Sequence, residues 1–180
     1  GGMAMPGGAI EIMTVAPGVT PATGPATLPA SLPAPPMHFG APVRTRDVLL
    51  DMHAGSMMGS MFRRFFGNSG SIMGINGNSY DMGRIDAELR AGETELWRIS
   101  APMMIHPFHV HGTSFQVVSR GGQRVEPATE GLKDVVVVDG RGVEILVRMD
   151  QKADAATPFM LHCHILEHED AGMMAQFTVA

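Results

Sequence analysis

Residues 162–174 read HCHILEHEDAGMM, three histidines, one cysteine and two methionines within thirteen positions. Alternate side chains of a β-strand point to opposite faces. An extended His162-Cys163-His164 therefore sends its two imidazoles to one side and its thiol to the other. Upstream, residues 106–113 read HPFHVHGT, and the same alternation places His109 and His111 on one face of their own strand. His106, set back by a bend containing Pro107, aims elsewhere. These two stretches hold six of the eight histidines; His38 and His53 stand apart and read as incidental.

The spacings sort the donors into two environments. One gathers Cys163 with His106, His168 and Met173. Two imidazoles, one thiolate and a weak axial thioether make the trigonal arrangement of an electron-transfer copper. The other gathers His109, His111, His162 and His164, an all-imidazole set able to hold more than one metal. The backbone of His162-Cys163-His164 joins the two and offers electrons a short covalent route. The bland readings fit less well. A lone buried Cys is usually a small hydrophobe, and structural zinc is content with four ligands, where this chain offers eight. The wider composition agrees: 16 Met and 8 His against one Cys is a ligand palette suited to copper. One Cys also excludes an internal disulfide framework or a Cys₄ metal site.

Working outward, 180 residues correspond to one domain of about 150 residues plus a remainder. A hydrophobic content of 44% and a charged content of 17% are those of a globular chain. A net charge of -5 argues against a nucleic-acid partner, and no apolar run reaches the length of a membrane-spanning helix. The first 37 residues hold 8 of the 13 prolines and a single charge, Glu11. Residues 1–15 contain a strand-like segment at 9–15 and read as the tail strand of a preceding, absent domain. Residues 16–37 read as a Pro-rich interdomain linker, and 38–180 as the domain itself. In it, strand candidates fall at 43–52, 94–100, 114–120, 134–139, 143–149, 159–164 and 175–179. Turns at Gly121-Gly122 and Gly140-Arg141-Gly142 would close hairpins. Short strands at this spacing predict an all-β sandwich or barrel, interrupted by an irregular Met-containing insert at 51–70 with a short helix near 57–66. Trp97, Phe115 and the valine run 135–138 read as core, and Lys133-Asp134 as a surface pair, with support of a metal site from behind its ligands as the alternative.

The motifs H-x-x-H-x-H-G (106–112) and H-C-H-x-x-x-H-x-x-x-x-M (162–173) resemble the C-terminal copper motifs of the multicopper oxidases, the laccase-like enzymes. The likeness runs from about Met37 to Ala180 and is nearest to the bacterial copper-efflux cuprous oxidases. It implies a Greek-key cupredoxin β-sandwich. It also implies type 1 copper at His106, Cys163, His168 and Met173, type 2 copper at His109, and a type 3 pair at His111, His162 and His164, with four copper ions per complete enzyme. Glu169 would deliver protons, and electrons would enter at the outer edge of His168 and leave through Cys163. The resemblance further implies O₂ and a small reduced donor, Cu(I) or a phenol, as co-substrates, together with a periplasmic setting and a part in copper homeostasis.

The family's trinuclear cluster takes eight histidines, four of them from two His-x-His motifs in an N-terminal cupredoxin domain. No His-x-His precedes His109 here, so this chain is expected to be a C-terminal piece whose O₂ chemistry needs the N-terminal domains of the same parent. The family's labile Cu(I) site is also altered. Gly55 and Pro102 stand where it has two aspartates, and Leu50 where it has a methionine, while Met104 matches. A rebuilt substrate site would draw on Asp51, Met52, Met103 and Met104; the alternative is that these methionines cover hydrophobic surface. Two rival functions remain. A single-domain blue-copper carrier or periplasmic copper-binding protein would leave four histidines surplus, and a nitrite reductase fits the His-Cys-His pattern less fully.

Overall fold

A computed structural model describes residues 39–52 and 73–180. The strand expected at 9–15, the linker at 16–37, His38, His53 and the helix expected near 57–66 lie outside the described residues. Seven strands come first: β1 (Arg44–Met52), β2 (Met73–Ile75), β3 (Ala87–Leu89), β4 (Thr94–Ser100), β5 (His106–Val110), β6 (Phe115–Arg120) and β7 (Gln123–Arg124). Helix α1 (Pro127–Glu130) then leads to β8 (Leu132–Lys133), β9 (Val135–Val138), β10 (Val143–Arg148) and β11 (Phe159–Cys163). A single-turn helix, α2 (Leu166–Asp170), precedes the last strand, β12 (Met174–Val179).

One sheet runs β2-β1-β4-β10-β6-β7, with β8 also on β6; the other runs β3-β12-β11-β5-β9. The chain passes back and forth between them, from β4 to β5 to β6 and again from β9 to β10 to β11. This is the interleaving expected of a Greek-key sandwich, and the cupredoxin-type β-sandwich expected from the resemblance is the observed fold. The reason is visible in β10, where Val143, Ile145 and Val147 are buried while Glu144, Leu146 and Arg148 are not. Such a strand has one face for a core and one for solvent. The sheets meet through large side chains: Trp97 of β4 stands edge-on to Phe177 of β12 at 6.1 Å, and both are fully buried.

The β1–β4 seam carries a buried charge. Glu95 accepts from Arg46 Nε (2.9 Å) and Nη2 (3.1 Å) and from Trp97 Nε1 (2.9 Å). A carboxylate with 5% exposure requires such partners.

Several expectations are corrected. The 140–142 turn is not a hairpin: β9 pairs with β5 while β10 pairs with β4 and β6, so this turn crosses between sheets. Gly121-Gly122 does close a hairpin, β6–β7, with Arg120 opposite Gln123, both glycines having positive φ as a two-residue turn of the right twist demands. The valine run alternates, with Val136 and Val138 in the core and Val137 at 55% exposure. Strands β2, β3 and β8 were not among the segments proposed from spacing, whereas β5 was expected from the alternation of His109 and His111 and ends at Val110, one residue short of His111. Lys133 pairs with Glu130 (3.6 Å) rather than with Asp134.

Candidate metal centres

β5 and β11 lie antiparallel with Leu161 opposite Val110, His162 opposite His109 and Cys163 opposite Phe108. Directly opposite residues share a face, so this register alone separates the donors. His106, Phe108, Val110, Leu161 and Cys163 face the core and are buried. His109 and His162 face outward. His106 needs no bend to aim elsewhere, because β5 begins at His106 and Pro107 lies within it. Ordinary alternation, three residues from His109, sends His106 to the opposite face.

On the core face, α2 swings His168 inward. The helix turns immediately after β11, with the His168 N–H donating to the Ile165 carbonyl (3.0 Å), and it stops at Gly172, whose N–H reaches Glu169 O (2.8 Å). His106 Nδ1 lies 3.4 Å from Cys163 Sγ, Cys163 Sγ 3.6 Å from His168 Nδ1, and the two Nδ1 atoms 3.1 Å apart. The circle through three points so spaced has a radius of about 2.0 Å, against metal–nitrogen and metal–sulfur bonds of about 2.0–2.3 Å. The donor set fits one small ion. Met173, fully buried, is pinned beside it: its carbonyl accepts from Cys163 N–H (3.1 Å) and its N–H donates to His168 O (2.9 Å).

On the outer face, the ring nitrogens of His109, His111 and His162 converge within 4.8 Å of one another. His109 Nδ1–H donates to the Asp134 carbonyl (2.8 Å) and His162 Nδ1–H to the Cys163 carbonyl (3.0 Å). A carbonyl can only accept, so each ring is fixed with its Nε2 lone pair free for a metal. His111 Nε2 lies 3.1 Å from His162 Nε2. The His164 ring is 5.5 Å from that of His109 and 5.4 Å from that of His162; it is exposed and its nitrogens are not in the convergent trio. Glu169 Oε2 approaches His162 Nδ1 at 3.3 Å.

Electrostatics suit metal binding. Burial, helped by His168, pushes His106 below the ordinary imidazole value. Burial and then the neighbouring His109 and His162 push His111 down, with Glu169 pulling the other way. Both rings stay neutral, as ligands must. Burial pushes the Cys163 thiol up, the Ile165 N–H opposing and Glu169 adding to it, so a bound cation is needed to release the proton.

The structure thus brings together His106, Cys163 and His168 with Met173 nearby, and separately His109, His111 and His162 with Glu169. Asp51 is in neither convergent group among the described residues; its Oδ2 accepts from Gly77 N–H (2.6 Å). Met52 pairs across β1–β2 with Met73, while Met103 and Met104 are 62% and 46% exposed just before β5. Two contributors go beyond the sequence reading. Asp134, for which a place beside a metal site was the lesser alternative, orients His109 through its carbonyl, and a backbone oxygen has no signature in sequence. Gly112 follows His111 at φ +76°, and a Cβ there would meet the Phe159 ring at 2.6 Å; the glycine was legible as a motif letter, but its packing partner was not.

Residues 44–180 match the family described as Multicopper oxidase. The chain belongs to the multicopper oxidases. Copper is accordingly the cofactor that membership implies, and the two convergent donor groups could each hold a metal ion. The multicopper oxidase mco of Staphylococcus haemolyticus is 40% identical over 111 residues, covering 58% of this chain and 24% of its own length. The cell division protein FtsP of Salmonella typhimurium is 35% identical over 140 residues, covering 78% of this chain and 25% of its own. Among solved structures, the laccase-like multicopper oxidase CueO from Ochrobactrum sp. superposes with a TM-score of 0.68 at 39% identity, over 82% of this chain and 32% of that one. The Campylobacter jejuni multicopper oxidase, a metallo-oxidase, gives 0.64 at 32% identity, over 78% and 30%. This multicopper oxidase chain spans about a quarter of the length of those curated relatives.

Proposed function

We propose that the chain is the C-terminal part of an oxidase that takes single electrons from a reduced donor and passes them to O₂, four per two waters formed. The observation that supports this most is the pair of donor sets on opposite faces of β5–β11, joined through one residue. In this reading His106, Cys163, His168 and Met173 hold type 1 copper, His109 type 2, and His111, His162 and His164 the type 3 pair. When bound, copper supplies one-electron redox chemistry at the sulfur site and O₂ reduction at the histidine site.

The chain's own residues do the rest. Cys163 has its side chain in one set and peptide bonds to residues of the other, so it conducts from core face to outer face. His168, buried at 6% exposure, is the ligand through which the electron enters in this reading. The Cys163 and Asp134 carbonyls hold His162 and His109 in ligating tautomers, and Glu169 holds and releases protons at Oε2 beside His162. The outer set is completed by N-terminal cupredoxin domains of the same parent. The Ochrobactrum relative is described as active towards lignin model compounds and lignosulfonate and the Campylobacter one as a metallo-oxidase. Phenols and Cu(I) are therefore the donors proposed, with the exposed Met103 and Met104 serving Cu(I). A periplasmic setting and a role in copper homeostasis rest on the resemblance to the copper-efflux oxidases.

The intact copper-loaded protein is expected to be intensely blue and to consume O₂ with Cu(I) or a phenol. Cys163→Ser abolishes the colour and lowers turnover beyond the roughly 10–100-fold that loss of an outer-shell partner costs, with the fold intact by circular dichroism. A colourless loaded wild type would sink the reading; a blue protein that consumes no O₂ favours an electron carrier.

A further inference from the structure

The loop before β3 has no part in either donor set, yet it is tied to the residue that precedes Met173. The Tyr80 N–H donates to the Gly172 carbonyl (3.0 Å). Met173 is otherwise held by the ligand residues themselves, through His168 O and Cys163 N. Tyr80 therefore grips this segment from outside the ligand loop.

What holds Tyr80 is a buried amide. Gln176, on the outward face of β12 opposite Met160, is 4% exposed because residues 79–86 lie over it. Its Nε2 donates to the carbonyls of Met82 (2.9 Å) and Arg84 (2.8 Å), and its Oε1 accepts from Tyr80 Oη (3.4 Å). Its backbone N–H donates to Asp86 Oδ2 (3.0 Å) and its carbonyl accepts from Asp86 N–H (2.9 Å). Arg84 closes the loop, donating from Nε to Asp86 Oδ1 (2.6 Å) and from Nη2 to Ser79 O (2.9 Å). A buried amide with both ends engaged fixes geometry, because any displacement strands polar groups away from water.

We propose that Gln176 and the 79–86 loop position Met173, setting how closely its thioether is presented to the His106–Cys163–His168 triangle and so the reduction potential of the site. This rests on Met173 being the axial ligand. An axial thioether bond is long and weak, so the protein rather than the metal decides its length, and the potential follows the axial ligand. Gln176 and Tyr80 are positioning residues that act through the Gly172 carbonyl. Loosening them lets the thioether recede, which favours the reduced ion and raises the potential.

The test is anaerobic redox titration of the blue band in the intact copper-loaded protein. Met173→Leu should raise the potential most. Gln176→Met, similar in volume but without donors, should raise it by a smaller amount and alter the band shape, and Tyr80→Phe, which keeps its N–H, by less again. Asp86→Ala loosens the loop where its carboxylate holds Arg84 and the Gln176 N–H, leaves the Gln176 side chain in place, and should shift the potential in the same direction if Gln176→Met does not fold. Arg46→Met, which breaks the ion pair on the other sheet, should lower thermal stability and leave potential and spectrum unchanged. An unmoved potential in Gln176→Met or, where that variant does not fold, in Asp86→Ala, beside a raised one in Met173→Leu, overturns the proposal and leaves the ligand assignment standing. An unmoved potential in Met173→Leu overturns both. A shift in Arg46→Met equal to that in Gln176→Met shows general loosening and overturns the positioning role.

Discussion

The two faces of the β5–β11 pair carry the same chemistry to different degrees of completion. On the core face, His106, Cys163 and Met173 are fully buried and three donor atoms already define a metal-sized circle. On the outer face, His109 and His111 are half-buried and His164 is exposed, and the converging nitrogens define a rim rather than a shell. Burial explains the contrast. A site enclosed by one sandwich can be finished by that sandwich, whereas donors on an outward face wait for whatever covers it.

If the faces are separable, a change on one should spare the other. Glu169→Gln is expected to slow O₂ uptake about 100-fold, the usual scale of a lost acid–base group, while the blue band and its potential stay near wild type. A parallel loss of colour would mean that the faces act as one unit. A smaller effect is expected from Gly112→Ala. The Phe159 ring must retreat from the new methyl, and overpacking of this kind costs about 1–3 kcal/mol, readable as a lowered denaturant midpoint. Its damage should fall on copper held near His111 and not on the sulfur site.

The smallest effect concerns the segment leading to Asp134. Arg120 holds the Glu130 carboxylate through Nε (3.0 Å) and Nη2 (3.2 Å), and this holds the carboxyl below its ordinary value. A carboxylate with a depressed folded value stabilises above its unfolded value and loses that contribution as pH falls through the folded one. The Glu130→Gln variant should therefore be less stable than wild type by up to about 1 kcal/mol at neutral pH. The difference should close below about pH 4.5, as thermal unfolding across pH would record.

Much of this was legible because it depended on local alternation. His162 and Cys163 divide between faces by strand periodicity alone, and the long strands β1, β4, β10 and β12 fall within a residue or two of their expected bounds. What depended on tertiary register was not legible. β2 and β3 are three residues each and exist only because β1 and β12 offer them edges. The 140–142 turn carries a hairpin's residues but connects two sheets, since pairing partners are chosen by the whole core. Asp134 acts through its carbonyl, and Gln176 reads as one polar letter in an apolar strand.

The division of labour across β5–β11 also sets how this chain can change length over evolutionary time. A one-residue insertion within either strand would shift its faces, in β11 turning Cys163 outward and His162 into the core, in β5 parting His106 from its partners or His109 from its own, so a single event would break up the donor sets. The Gly121-Gly122 hairpin lies on the other sheet, and extra residues there leave the donor register untouched. Lengthening should therefore accumulate in loops such as that one, while the ten residues of β5 and β11 accept substitution but not insertion.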